Sequence, residues 1–277
     1  MANSDSARSF MARHRTGILL CSLMLFLPPL ALIVQVTSAD VDLCGSWCPR
    51  MFFAIRKGAG IGEIIGGVAR SYMGVALVVG MLVTTIFFGR YWCSHLCPVG
   101  GATELGSRLI PRFLKLDFSA IPAAPVRYGY FAVYLAAPLI GIGSLCCNYC
   151  NFATIPRLFG APFIQADMAY FLRTAGIINL ALIILLGFLA HGGRAYCNFL
   201  CPIGALDALA SRFGKRFGKR VQVDTHRCNG CGECHAVCPT WAIAVKGTAA
   251  IDQLSCMPCR QCEKVCPEGA ICYAKSV

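Results

Sequence analysis

Cys228-Asn229-Gly230-Cys231-Gly232-Glu233-Cys234-His235-Ala236-Val237-Cys238-Pro239 is matched, at an offset of 28 residues, by Cys256-Met257-Pro258-Cys259-Arg260-Gln261-Cys262-Glu263-Lys264-Val265-Cys266-Pro267. Both stretches read C-x2-C-x2-C-x3-C-P, the thiolate spacing that wraps [4Fe-4S] cubanes in bacterial two-cluster domains. The match continues past the cysteines, with Pro239, Ala242 and Ile243 answering to Pro267, Ala270 and Ile271, so two pseudo-symmetric halves are predicted. A loop this short wraps three corners of a cube, and the fourth cysteine of each run crosses to the other cluster. Cys228, Cys231, Cys234 and Cys266 are therefore expected to bind cluster 1, and Cys256, Cys259, Cys262 and Cys238 cluster 2. Zinc modules pair two C-x2-C knuckles across a longer spacer, and neither they nor disulfides require the duplicated third cysteine and C-P. The pattern implies one-electron chemistry in an α+β ferredoxin domain at 223–277, preceded by a basic linker at 212–222.

Upstream the composition changes character. With 57% hydrophobic and 14% charged residues, and a mean hydropathy of +0.62, the chain is too apolar for an ordinary soluble domain. Four segments, about Gly17 to Val36, Ser71 to Phe88, Tyr128 to Leu145 and Thr174 to Ala190, contain no Asp, Glu, Lys or Arg and approach spanning length. Pro28 and Pro29 predict a kink in the first. The first also has a signal-peptide reading, with Thr37-Ser38-Ala39 as a small-residue site, but its apolar stretch is long for that purpose. The expectation is a four-transmembrane-helix domain at 17–211 after a cytoplasmic tail at 1–16.

Basic residues orient it. Arg8, Arg13 and Arg15 precede the first segment, Arg90, Arg108, Arg112, Lys115 and Arg127 fill the second connection, and Arg194, Arg212, Lys215, Arg216, Lys219 and Arg220 follow the fourth. By the positive-inside rule both termini, and the ferredoxin domain, face the cytoplasm of a bacterial inner membrane. The net charge of +12 needs no nucleic acid, because these residues gather at predicted helix ends rather than on one soluble face. Arg212 to Arg220, reading R-F-G-K-R-F-G-K-R, fits an interfacial linker on anionic headgroups.

The membrane part is itself duplicated. Gly89-Arg90-Tyr91-Trp92-Cys93-Ser94-His95-Leu96-Cys97-Pro98-Val99-Gly100 matches Gly193-Arg194-Ala195-Tyr196-Cys197-Asn198-Phe199-Leu200-Cys201-Pro202-Ile203-Gly204 at an offset of 104. A weaker pair, Cys44 and Cys48 against Cys146 and Cys150, lies upstream. Each unit crosses twice, so the bundle is predicted to be two parallel two-helix repeats about an axis along the membrane normal. A C-x3-C pair on one helical turn holds its Cβ atoms about 6 Å apart, so two facing pairs present four thiolates to one centre. Cys93, Cys97, Cys197 and Cys201 are then a candidate additional metal centre on the cytoplasmic side, with a zinc clamp and apolar packing as alternatives. Cys44, Cys48, Cys146 and Cys150 form the outer layer, where a centre and disulfides both stay open. Cys21, Cys147 and Cys272 are read as packing residues.

These motifs together resemble the NapH-type membrane ferredoxins, to which the MauN proteins and the C-terminal membrane part of the NosR regulators are similar. The resemblance implies the membrane component of a quinol dehydrogenase, taking electrons from the quinol pool and passing them to a periplasmic acceptor through an iron-sulfur or haem partner. It covers the C-x3-C-P cysteines and the eight ferredoxin cysteines; the outer cysteines fall outside the family pattern. An accessory factor maturing or reactivating a periplasmic metallo- or quinone-cofactor enzyme is the alternative, and a redox sensor a third. No catalytic residue follows from the sequence. Glu63, Asp40, Asp42 and Asp167 on the outer side, and His191 and His95 on the inner, are candidate acceptors of a quinol proton, but no spacing links any of them to a site and each also reads as an ordinary solvated or interfacial residue.

Overall fold

The computed structural model describes residues 14–26, 66, 69, 72–140, 145, 150–214 and 217–275. Cys44, Cys48, Cys146 and Cys147, with Asp40, Asp42 and Glu63, lie outside them.

The helical part is built from two matching series. The first comprises α1 (Arg15–Phe26), α2 (Tyr72–Phe88), the short α3 (Tyr91–His95) and α4 (Pro98–Leu109). The second comprises α5 (Ala123–Leu139), α6 (Asn151–Gly160), α7 (Gln165–Phe171), α8 (Thr174–Ile183) running on as a π-helical turn to Phe188, α9 (Ala195–Phe199) and α10 (Pro202–Phe213). The equivalences are local and physical. Gly89 at φ +73° and Gly193 at φ +69° stand just before the two arginines in a left-handed conformation that costs glycine little. Arg90 and Arg194 N-cap α3 and α9, while Cys97 and Cys201 N-cap α4 and α10. Pro98 and Pro202 then take the first helical position, where the missing N–H costs nothing.

The two series interlock. The second repeat's α10 packs on α2 of the first, and the first repeat's α4 packs on the π-helical turn of the second. Among the described residues no single helix is long and apolar enough to cross a membrane alone; α7 together with Thr174–Phe188, meeting at 82°, reaches that length. Described helix ends differ from the expected 128–145 and 174–190, since α5 starts at Ala123 and α-helical geometry stops at Ile183. Outward faces carry large apolar side chains, among them Val79, Val83 and Phe87 on α2, Val133 on α5 and Ile177 on α8.

The C-terminal part comprises β1 (Lys219–Val223), α11 (Glu233–Ala236), β2 (Ile243–Lys246), β3 (Thr248–Ile251), α12 (Gln261–Val265) and β4 (Ile271–Lys275). β1 pairs antiparallel with β4, opposing Val221 to Tyr273, and β2 with β3, opposing Ile243 to Ile251. β1 thus begins inside the stretch expected as linker, because its register with β4 buries Val221 in the core. That core is small: Val221, Ala242, Ile243, Ala249 and Ile271 around Cys234, Cys238 and Cys262.

Candidate iron-sulfur sites and their buried charges

Three cavities are each lined by four cysteines. Cys228, Cys231, Cys234 and Cys266 surround the first, and Cys238, Cys256, Cys259 and Cys262 the second, each about 20 Å³ in volume. The fourth cysteine of each run therefore lies with the other run's three. Backbone N–H groups point at the sulfurs: Ala249 to Cys228 at 3.4 Å, Ala242 to Cys238 at 3.4 Å and Ala270 to Cys266 at 3.3 Å. Such donors stabilise thiolate charge and tune cluster potential. Among the described residues no three Cys, His, Asp or Glu side chains are grouped to hold a single metal ion. The donor set fits a multi-atom cluster, with soft thiolates at every corner.

The third cavity, 230 Å³, is lined by Cys93, Cys97, Cys197 and Cys201, with Trp92 and Tyr196 at equivalent positions of the two repeats. Its construction differs from the expected single helical turn. Cys93 lies inside α3, whereas Cys97 has left it, at ψ 114°, to cap α4. Cys201 does the same before α10, and its sulfur accepts from the Gly204 N–H at 3.4 Å. The break between the two helices, repeated in both halves, turns all four thiols to one space.

Around that space lies a set of charges in which arginines expected to orient the chain in a membrane meet two acids. Arg90 and Arg194 are 0% and 1% exposed, so they are structural groups and not loop charges. Each pairs with an acid of the opposite repeat. Arg194 Nη2 lies 2.8 Å from Glu104 Oε2 and its Nη1 donates to the Cys93 carbonyl at 2.7 Å. Arg90 Nε lies 3.5 Å from Asp207 Oδ2. Arg15 closes the first pair, donating to both Glu104 oxygens at 2.6 Å. Burial alone would raise the Glu104 carboxyl, but Arg194 and Arg15 outweigh it and hold it at about 2.

Glycines make room for these arginines. A Cβ on Gly100 would overlap the Arg194 guanidinium, and one on Gly204 would stand 2.7 Å from the Cys197 carbonyl and 3.2 Å from Arg90 Nη2. That Nη2 is buried beside the third cavity's wall and makes no hydrogen bond among the described residues. Asp207 balances the Arg90 charge, but a buried donor without an acceptor is still costly. A four-thiolate cluster would supply one.

The repeated Gly-Arg at offset 104 was the visible signal for this arrangement. The acids hid it, because Glu104 aligns with Ala208 and Asp207 with Thr103.

Of the other candidates, His95 is 2% exposed, stacked on Tyr91 at 4.1 Å, and lowered to about 4 by burial and by Arg15. His191 is half-buried and lowered by burial and Lys115. Asp167 pairs with Arg157 at 3.8 Å. Cys150 caps α6 and forms no disulfide among the described residues, its expected outer-layer partners lying outside them. Cys21 and Cys272 are exposed and not packed, because each faces outward from its helix or strand.

Comparison with known proteins accounts for both sets of motifs. A family model described as a 4Fe-4S binding domain matches residues 71–117 and again 172–220, the two C-x3-C-P units; one described as a 4Fe-4S dicluster domain matches 227–271. The ferredoxin-type protein NapH of Escherichia coli is 28% identical over 169 residues, 60% of this chain and 54% of that protein. The methylamine utilization ferredoxin-type protein MauN of Methylobacillus flagellatus is 28% identical over 168 residues, 60% of this chain and 53% of that one. This chain is a relative of the NapH and MauN ferredoxin-type proteins. The putative electron transport protein YccM of Escherichia coli is 26% identical over 170 residues, 59% of this chain and 45% of that protein. The chain spans about half the length of the curated relatives it matches. No solved structure matches it. The C-terminal part is a ferredoxin-type 4Fe-4S domain, and both C-x3-C-P units match a 4Fe-4S binding domain.

Proposed function

We propose that this chain is a membrane-anchored iron-sulfur electron-transfer protein with three [4Fe-4S] centres, taking electrons from a membrane quinol and passing them to a redox partner. The observation that carries the reading is the third four-cysteine cavity, which shares its donor set with the ferredoxin cavities yet is walled by α2. Bound clusters would supply one-electron redox chemistry at fixed positions. Cys228, Cys231, Cys234 and Cys266 would hold the first, Cys238, Cys256, Cys259 and Cys262 the second, and Cys93, Cys97, Cys197 and Cys201 the third.

Anchorage is supported by the large apolar side chains that α2, α5 and α8 expose, since clustered exposed apolar surface marks a membrane or partner contact. Leu109, Phe113 and Phe213 stand 77% or more exposed beside Arg108, Arg112 and Arg212, as an interfacial rim requires. The relatives' redox naming supports a protein partner, expected on the periplasmic side as the resemblance implies.

Quinol entry is supported by volume. Two cavities with the same donors measure about 20 Å³, and the third 230 Å³. The excess lies against Leu77, Val78, Met81 and Phe152, apolar side chains suited to a ring rather than to an ion.

The test is quinol-dependent bleaching of cluster absorbance in proteoliposomes. Filling the excess with Val78→Trp should weaken reduction by a short-chain quinol while leaving reduction by dithionite and iron content intact. An unchanged quinol response in that variant would remove the assignment. Clusters that dithionite reduces and no quinol does would favour the maturation factor instead.

A further inference from the structure

Met257 lies between two sets of cysteines. Its side chain is 4% exposed and packs on Cys93 and Cys197 of the third cavity as a buried cluster. It also forms part of the wall of the second cavity, beside its chain neighbours Cys256 and Cys259. Position 28 residues earlier, in the first run, is Asn229, which is exposed. The duplicated loops have therefore diverged: C-M-P-C is buried against the helical part, and C-N-G-C faces solvent, with Cys231 exposed.

The interface around Met257 is held on several sides. Leu254 O accepts from Arg127 Nη1 at 2.8 Å and from Arg90 Nη1 at 3.2 Å, and Thr240 O from Asn198 Nδ2 at 3.1 Å. Tyr273 donates to the Phe88 carbonyl at 2.6 Å. These bonds tie the second run, and the crossing segment after Cys238, to α2, α3, α5 and α9. The first and second cavities in turn share one core, through Cys234, Cys238 and Cys262.

We propose that Met257 is the contact bridge between the membrane-side site and the ferredoxin domain, and that it fixes the order of the three sites. The Cys93, Cys97, Cys197 and Cys201 site comes first. Next is the site of Cys238, Cys256, Cys259 and Cys262, and the site of Cys228, Cys231, Cys234 and Cys266 is outermost. An electron crossing each gap oxidises one site and reduces the next. An unbranched, polarisable thioether suits the position because it fills an irregular gap without water. This rests on the reading that all three sites hold clusters.

The test uses the full-length holoprotein in liposomes, with iron counted on every preparation. Reduced with dithionite, the wild type should show spin coupling between the membrane-side centre and its neighbour by EPR. Cys231→Ser should keep that coupling, and Cys259→Ser should abolish it. Mixed with ferricyanide, a soluble oxidant that meets the exposed outer site, Met257→Leu should reoxidise like wild type. Met257→Asn, with full iron, should leave the membrane-side centre in a separate slow phase.

Coupling lost equally in both cysteine variants, or Met257→Asn reoxidising in one phase, would overturn the bridge while three centres stand. A count of about eight irons would remove the membrane-side centre and the bridge together.

Discussion

Arg194 of the second repeat lies 2.8 Å from Glu104 of the first, both almost wholly buried, beside four cysteines drawn from both repeats. The pair joins the halves at the point where they form one cavity. Removing one partner of such a pair costs about 3–5 kcal/mol, mostly because the other charge is left uncompensated. Arg194→Gln should therefore lose that much in denaturant unfolding of the helical part. A double-mutant cycle with Glu104→Gln should recover a coupling energy of roughly 0.5–3 kcal/mol.

The pair also predicts a pH dependence. Glu104 is held at about 2 against an ordinary 4.5, faced by Arg194, Arg15 and Arg108. Its folded value is depressed, so its contribution is present above 4.5 and is lost as pH falls towards about 2. The shift corresponds to about 3 kcal/mol. The stability gap between wild type and Glu104→Gln, followed by circular dichroism, should be widest near neutrality and close below pH 4.

Gly100 and Gly204 should not tolerate a side chain. Arg194 is pinned by Glu104 and the Cys93 carbonyl, and so cannot swing away from a Cβ on Gly100. Gly100→Ala should cost about 1–3 kcal/mol, the usual overpacking range. Gly204→Ala should cost less, since its contacts are longer. Equal and negligible losses in chemical denaturation would contradict the packing described.

The ferredoxin domain should depend on its metal. Five apolar residues around three cysteines make too small a core for independent stability. Iron chelation under anaerobic, reducing conditions should unfold the β1–β4 and β2–β3 pairs, seen as lost strand signal. A strand signal that survives metal removal would refute this.

Much of this was legible because thiolate spacing is a chemical constraint written locally. The two C-x2-C-x2-C-x3-C-P runs give the ligand sets that are proposed for the clusters, and in the structure Cys266 lines the cavity of Cys228, Cys231 and Cys234 while Cys238 lines that of Cys256, Cys259 and Cys262. The C-x3-C-P repeat likewise pointed to four thiols at one place, though through a helix break at Cys97 and Cys201 and not along one turn. The buried charge pairs were not legible. Partners 90 residues apart in the chain leave no local pattern, and an arginine next to an apolar run reads as a membrane flank until its burial is seen. Met257 was hidden for a related reason, since only the docked interface distinguishes it from Asn229.

The central claim is that Cys93, Cys97, Cys197 and Cys201 form a third iron-sulfur site between the repeats. Iron and acid-labile sulfide should be counted on anaerobically purified full-length protein, before and after the Cys93→Ser and Cys197→Ser substitutions. Three cubanes predict about twelve irons, falling to about eight in either variant, with a change in the reduced EPR spectrum. About eight irons in the wild type, and spectra unchanged by both substitutions, would contradict it.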